Sequence, residues 1–236
     1  IIIDHEQEKK ELLLRYKNLI KALGPAIKNK EGQVVLKRTY NAGVKHDTYY
    51  VYDQYGNLTY VLPPLVNSPA SQLTDLCYQY KYDNRNRLVE KKIPGKQWEF
   101  IVYDKLDRVV ATGPTFSPFT SPTGVGWLTT KYDVFNRPVL TSWVAATVTS
   151  ATRKTLQDSQ NVAIVLSETK IATVTNTTIN GVAFRYTTVA WPTSGYHVLT
   201  VNYYDDYNFP NAPIIPSTVE TQAVYYNGTV KPKGLS

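Results

Sequence analysis

The chain is poor in the residues from which catalytic and metal centres are usually assembled. Its 236 residues hold one cysteine, three histidines and no methionine. The lone Cys77 excludes an internal disulfide framework and, with nothing beside it at metal spacing, a zinc ribbon. It follows an apolar residue at the rim of a strand and reads as a packing thiol rather than a nucleophile. His5, His46 and His197 fall in no triad or ligand spacing, and His5 lies on a polar helix face. Long apolar runs are missing too. Ile1 to Ile3 and Val162 to Leu166 are far short of the roughly 18–20 residues a membrane-spanning helix needs, so no transmembrane segment is expected. Gly95-Lys96 lacks the upstream glycine of a phosphate loop and reads as a hairpin turn.

Disorder is excluded by what is present. Charged residues make up 19% and hydrophobic ones 42%, with 19 tyrosines and 4 tryptophans, the composition of a chain that buries a core. The opening Ile-Ile-Ile-Asp has neither Met nor the basic-then-apolar shape of a secretion signal and reads as the start of a piece of something longer. Asp4 with Gln7 forms a capping pattern. Leu12, Tyr16, Leu19, Ile20 and Leu23 then fall on one face before Gly24-Pro25 ends the run. Residues 1–24 are therefore expected as an amphipathic helix, separable from the rest.

Beyond it the apolar period changes to two and a repeat emerges. The unit is Tyr-Asp, two variable residues, then Gly, Asn or Asp, then usually Asn or Arg, then an apolar strand. Four copies place Tyr52-Asp53 with Gly56, Tyr82-Asp83 with Asn86, Tyr103-Asp104 with Asp107, and Tyr132-Asp133 with Asn136. A fifth is expected at Tyr204-Asp205 with Asn208, and a worn copy at Lys28-Asn29 with Gly32. An Asp can bond the N–H groups ahead of it in a turn, and the residue three places on is of a type that tolerates positive φ. Each unit is thus a hairpin closed by a bulged turn, with Tyr50, Tyr52, Tyr80 and Tyr82 sharing one strand face. Single hairpins are marginal, so the units must pair side by side. Their irregular spacing favours one sheet with inserted loops over a strict solenoid.

The expected organisation is a mainly β fold: residues 25–142 as repeat hairpins, 143–195 as an inserted β-rich segment with a short helix near Thr152 to Gln160, and 196–236 as a last repeat hairpin and tail. Ser68 to Leu76 reads as another short helix. Residues 113–125 form a Pro/Ser/Thr loop.

The repeats, above all Cys77 to Lys96 with Tyr78-Gln79-Tyr80-Lys81-Tyr82-Asp83, resemble the YD-repeat (Rhs-like) proteins of bacteria. So do Tyr49 to Asp53 with Gly56-Asn57-Leu58 and Tyr203 to Phe209; the resemblance covers about residues 28–210. It implies a continuous twisted sheet forming part of a spiral shell, which in polymorphic toxins encloses a C-terminal toxic domain and in related surface proteins serves adhesion. The implied setting is secreted or cell-surface. The implied partners are neighbouring repeat segments of the same parent, a C-terminal toxin cargo and outer-membrane secretion machinery. The family's core ends in a plug with Asp-Pro followed by Gly and Leu. Lys231-Pro232-Lys233-Gly234-Leu235-Ser236 lacks the Asp-Pro, so self-cleavage by this piece is not expected.

Other chemistries fare worse. The repeated Asp residues are explained by turns without a metal. Asp205-Asp206, as neighbours in a strand, point to opposite faces and do not pair for acid–base work. The net charge of +7 and the cluster Arg85, Arg87, Lys91, Lys92 and Lys96 beside Tyr78, Tyr80 and Tyr82 invite a nucleic-acid reading. Tyrosine ladders with solvated lysines explain them better. No catalytic residue, cofactor or metal is assigned, and no nucleic acid is expected as a partner. The alternative to a structural segment is an adhesin or carbohydrate-binding module that uses exposed aromatics, Trp98, Trp127, Trp143 and Trp191 among them.

Overall fold

A computed structural model describes residues 26–172 and 175–224; the expected N-terminal helix lies outside them. The chain divides into two compact units, Ile1–Glu99 and Phe100–Ser236. The division falls inside the run expected as repeat hairpins.

The first unit is an antiparallel meander of β1 (Ala26–Lys28), β2 (Val34–Asn41), β3 (Val44–Tyr52), β4 (Leu58–Leu62), β5 (Tyr78–Tyr82) and β6 (Leu88–Lys92), each strand bonded to the next. Helix α1 (Pro69–Leu76) interrupts it between β4 and β5. Pro69, whose missing N–H costs nothing in a first turn, opens the helix. The Gln72 side chain accepts the Asn67 and Ser68 N–H groups. Its Leu73 packs with Val51, Tyr60, Leu62, Val66 and Cys77 in the unit's core.

The second unit carries β7 (Glu99–Tyr103, whose first residue belongs to the first unit), β8 (Val109–Phe116), β9 (Val125–Tyr132), β10 (Pro138–Ala145) and β13 (Tyr196–Val201) as neighbouring antiparallel strands. Helix α2 (Ser150–Val162) starts at a capping box between Thr149 and Thr152. The segment after it forms only short strands, β11 (Thr177–Ile179) and β12 (Val182–Phe184), within otherwise irregular chain; β14 (Thr218–Val219) and β15 (Gln222–Ala223) form a small separate pair. Its core gathers Val139, Leu140, Phe184, Tyr186, Tyr196, Val198 and Tyr203.

Five hairpins, β1–β2, β3–β4, β5–β6, β7–β8 and β9–β10, share one irregularity. The second strand carries an extra residue opposite the end of the first: Val35, Thr59, Val89, Val110 and Val139. A bulge places two successive side chains against one partner residue and breaks the inside–outside alternation. Val35-Leu36, Val89-Glu90, Val110-Ala111 and Val139-Leu140 are accordingly buried as consecutive pairs. The buried sheet face is the one bearing Val51, Tyr60 and Val102, while the expected tyrosine face, with Tyr50, Tyr52, Tyr80 and Tyr82, stays half-buried.

Candidate functional site

The turns repeat atom for atom. In each of the turns beginning at Asp53, Asp83, Asp104 and Asp133, the Asp N–H donates to the carbonyl four residues on, and the residue three places on returns an N–H to the Asp carbonyl. Oδ1 of the Asp accepts two backbone N–H groups, from the second and fourth residues after it. The residue three places on takes positive φ: Gly56 at 85°, Asn86 at 59°, Asp107 at 61° and Asn136 at 63°. The worn copy closes the same way, with Gly32 at 81° and the Asn29 side chain accepting the Gln33 N–H. The fourth residue clips back onto the free carboxylate oxygen. Arg87, Arg108 and Arg137 do so with Nε to Oδ2 at 2.7–2.8 Å, and Asn57 with its amide at 3.1 Å.

Electrostatics follow from this geometry. Burial is the largest influence on Asp83 and pushes its carboxyl up, but the Arg87 guanidinium and the Arg87 and Arg85 N–H groups together outweigh it and hold the carboxyl below its usual range. Arg137 is held above the usual arginine value: burial lowers it, and Asp205 and Asp133 more than compensate.

The tyrosine of each pair has a separate task that its position before the turn conceals. Its hydroxyl donates to the backbone carbonyl of the residue that follows the turn of an earlier hairpin: Tyr52 to Val34, Tyr82 to Leu58, Tyr132 to Val109 and Tyr204 to Pro138, at 2.8–3.1 Å. The backbone of Tyr103 has a bond of its own to the helix. The Gln157 amide of α2 accepts its N–H and donates to its carbonyl, as an added strand would. The turns are also tied side by side. Gln33 donates to the Gly56 carbonyl, Asn57 to Asn86 Oδ1 and Arg108 to Asn136 Oδ1. Each such residue therefore serves its own turn and the neighbouring one.

The expected fifth hairpin is a correction. Tyr204 keeps the hydroxyl contact, but Asp205 itself takes positive φ, 73°, and Asn208 does not. Where the other copies carry Gln, Asn or Arg four residues after the Asp, this one has Phe209, which stacks on Tyr203 at 4.4 Å between ring centroids. The Phe209 side chain has no donor with which to clip the carboxylate. Arg137 takes Asp205 at 2.8 Å and Lys170 takes Asp206 at 2.5 Å instead, and Asn208 bonds Asp206 and Arg185.

Two grooves lie along the turns. In the first unit a groove of about 410 Å³ runs beside Tyr52, Tyr55, Thr59, Tyr80 and Tyr82, rimmed by Asn57 and Asn86. In the second, one of about 290 Å³ is bounded by Phe135, Arg137, Lys170, Tyr186, Tyr204 and the two aspartates.

Sequence reasoning missed the Lys131–Glu168 pair. Lys131 Nζ meets Glu168 Oε1 at 2.8 Å with both side chains at most 1% exposed, and it also donates to the Ala190 carbonyl and lies 4.7 Å from the Tyr196 ring centroid. Glu168 accepts from Thr187 Oγ1 and from the Val189 and Ala190 N–H groups. Burial lowers the Lys131 pKa and Glu168 only partly restores it. A lysine between Thr130 and Tyr132 in a strand carries no sequence signal of burial, and its partner is 37 residues away.

Cys77 is buried and not part of a disulfide, and among the described residues no group of three His, Cys, Asp or Glu side chains could hold a metal. No helix of the described residues is long and apolar enough to cross a membrane. Trp127 and Trp143 are buried, which removes them as platforms for a sugar. No family model matches the chain, and no curated protein is significantly similar to it.

Proposed function

We propose that the chain is a non-catalytic structural segment of a secreted or cell-surface protein of the YD-repeat, Rhs-like kind, whose hairpins extend a β-shell that encloses or presents a C-terminal effector. The observation that carries this reading is the double use of the repeated pair. Aspartate closes its own hairpin, while tyrosine fastens that hairpin to the backbone beyond an earlier turn. Such a unit adds hairpins to a sheet without regular spacing, because the contacts join turn to turn and leave the loops between them free. Fixed dipoles and paired charges fill the turns, so the repeated carboxylates serve structure rather than catalysis. Neighbouring repeat segments of the parent are the direct partners, and a toxin-like cargo and secretion machinery follow from the resemblance.

Limited proteolysis of the natural full-length product tests the reading. Survival of a C-terminal fragment that stays associated with this region is the expected result. Digestion of everything beyond the hairpins, together with capture of the region on a glycan array, would replace the shell by an open carbohydrate-binding module.

A further inference from the structure

We propose that Lys131 and Glu168 are a self-reacting pair, which condenses inside the folded second unit into a side-chain amide that staples β9 to the chain after α2. The inference goes beyond the shell-building reading and does not depend on it.

The surroundings of the pair converge on one carboxyl group. Lys131 Nζ lies 2.8 Å from Glu168 Oε1, and neither side chain is more than 1% exposed. Burial lowers the lysine pKa, because a dry site penalises charged forms, and one proton moved along the Nζ–Oε1 hydrogen bond discharges both groups at once. The amine left behind keeps its place, since the Ala190 carbonyl at 3.0 Å and the Tyr196 ring hold Nζ beside the carboxyl. Two donors meet the other oxygen, Oε2: the Thr187 hydroxyl at 2.6 Å and the Val189 N–H at 3.0 Å. The Thr187 oxygen itself accepts the Thr169 N–H, which leaves its single hydrogen for Glu168. A carboxyl oxygen held by two fixed donors is where negative charge gathers when the adjacent carbon is attacked. Other pairs lack this setting. Lys81, bridged to Glu90, is exposed, and the guanidinium groups of the turn clips stay protonated.

The atoms balance. The Nζ lone pair forms a bond to Glu168 Cδ, and the C=O electron pair moves onto Oε2. Its return expels Oε1 as water, Oε1 having taken one proton from Nζ before the attack and a second as it leaves. The amide nitrogen keeps one hydrogen, and no oxidant or co-reactant is needed. A cavity of about 10 Å³ beside Lys131, Tyr132, Leu166, Ala190 and Trp191 has room for that one water. The step also removes two buried charges, whose desolvation offsets much of their mutual attraction. The freshly folded chain holds the ion pair, and the amide accumulates from it with time.

The test is the intact mass of the purified full chain, followed by mass spectrometry through days of incubation in warm neutral buffer. A species lighter by one water should grow in at a rate independent of protein concentration. Trypsin should then release residues 109–153, uncut at Lys131 and at Arg137-Pro138, joined to residues 155–170. These linked peptides are read on the wild type and require no variant to fold. Lys131→Arg, which keeps the charge but offers no nucleophile, should hold its mass. Thr187→Val, which takes one donor from Oε2, should convert at least about tenfold more slowly, with circular dichroism showing whether each variant is folded. A wild-type mass that never changes would overturn the proposal. So would a loss of water that Lys131→Arg shares, since an aspartyl imide elsewhere in the chain would behave that way.

Discussion

The two units use the same hairpin and differ in how they tie and cover it. In the first, the clip grades from the neutral Asn29–Gln33 through Asp53–Asn57 to the ionic Asp83–Arg87. In the second, both clips are Asp–Arg pairs. The cover differs more. The first unit buries its sheet under α1 with an apolar cluster centred on Leu73 and Cys77. The second lays over it irregular chain that brings Phe184, Tyr186 and Tyr203 into the core and is tied as well by the buried Lys131–Glu168 pair, with Gln157 bonded to Tyr103. The lesson is that turn geometry is fixed by position while charge is optional, and that the same strands accept either an oily lid or one tied as well by buried polar groups.

Breaking the polar tie of the second lid should have the largest effect. Lys131→Met leaves the Glu168 carboxylate buried without its cation and should cost about 3–5 kcal/mol, read as a lower denaturation midpoint. The double variant Lys131→Met/Glu168→Leu should recover much of that loss, because two apolar groups need no pairing. The counterpart in the oily lid, Leu73→Ala, should cost about 2–4 kcal/mol through lost burial and the cavity left behind, with no partner substitution able to rescue it. A rescue of similar size in both units would erase the distinction between the lids.

Turn geometry should come next. Gly56 sits at φ 85°, and a Cβ there would lie 3.1 Å from Gln33 Nε2. Gly56→Val should cost about 1–3 kcal/mol, while Gln54→Val in the same turn should stay within about 0.5 kcal/mol. Equal losses would deny the turn its left-handed residue.

The turn positions were legible in the sequence because their requirements are local. An acceptor at one position and tolerance of positive φ three residues later suffice, and even Asn29 with Gly32 was recognisable despite lacking Tyr and Asp. The fifth copy misled for an equally local reason: Tyr204, Asp205 and Asn208 match the pattern, but Phe209 stands where Asn or Arg is usual and cannot clip the carboxylate. The two short helices, expected at Ser68 to Leu76 and near Thr152 to Gln160, lie at Pro69–Leu76 and Ser150–Val162. The tyrosine hydroxyl contacts were not, since they bond to backbone 18 to 66 residues away and backbone carbonyls leave no mark in sequence. The Val-first bulges were hidden too, because Val35-Leu36 or Val139-Leu140 reads equally well as an ordinary apolar run.

Acid should act on the first unit in a defined direction. The Arg38 guanidinium bonded to Asp47 holds that carboxyl below its ordinary 3.8, and Asp83 is lowered as well. Groups depressed on folding contribute stability above the unfolded pKa and lose it as pH falls through the folded one. Stability should therefore be flat above about pH 5 and decline below pH 4, less steeply in Asp83→Asn, as followed by urea denaturation at successive pH values.

The most direct test of the central claim, that repeat tyrosines fasten hairpin to hairpin, is the urea stability of Tyr52→Phe/Tyr82→Phe beside the control Tyr50→Phe/Tyr78→Phe. The account predicts a loss of about 2 kcal/mol for the first pair, near 1 kcal/mol for each hydroxyl removed, and almost none for the control on the same sheet face. Indistinguishable stabilities of the two double variants would contradict it.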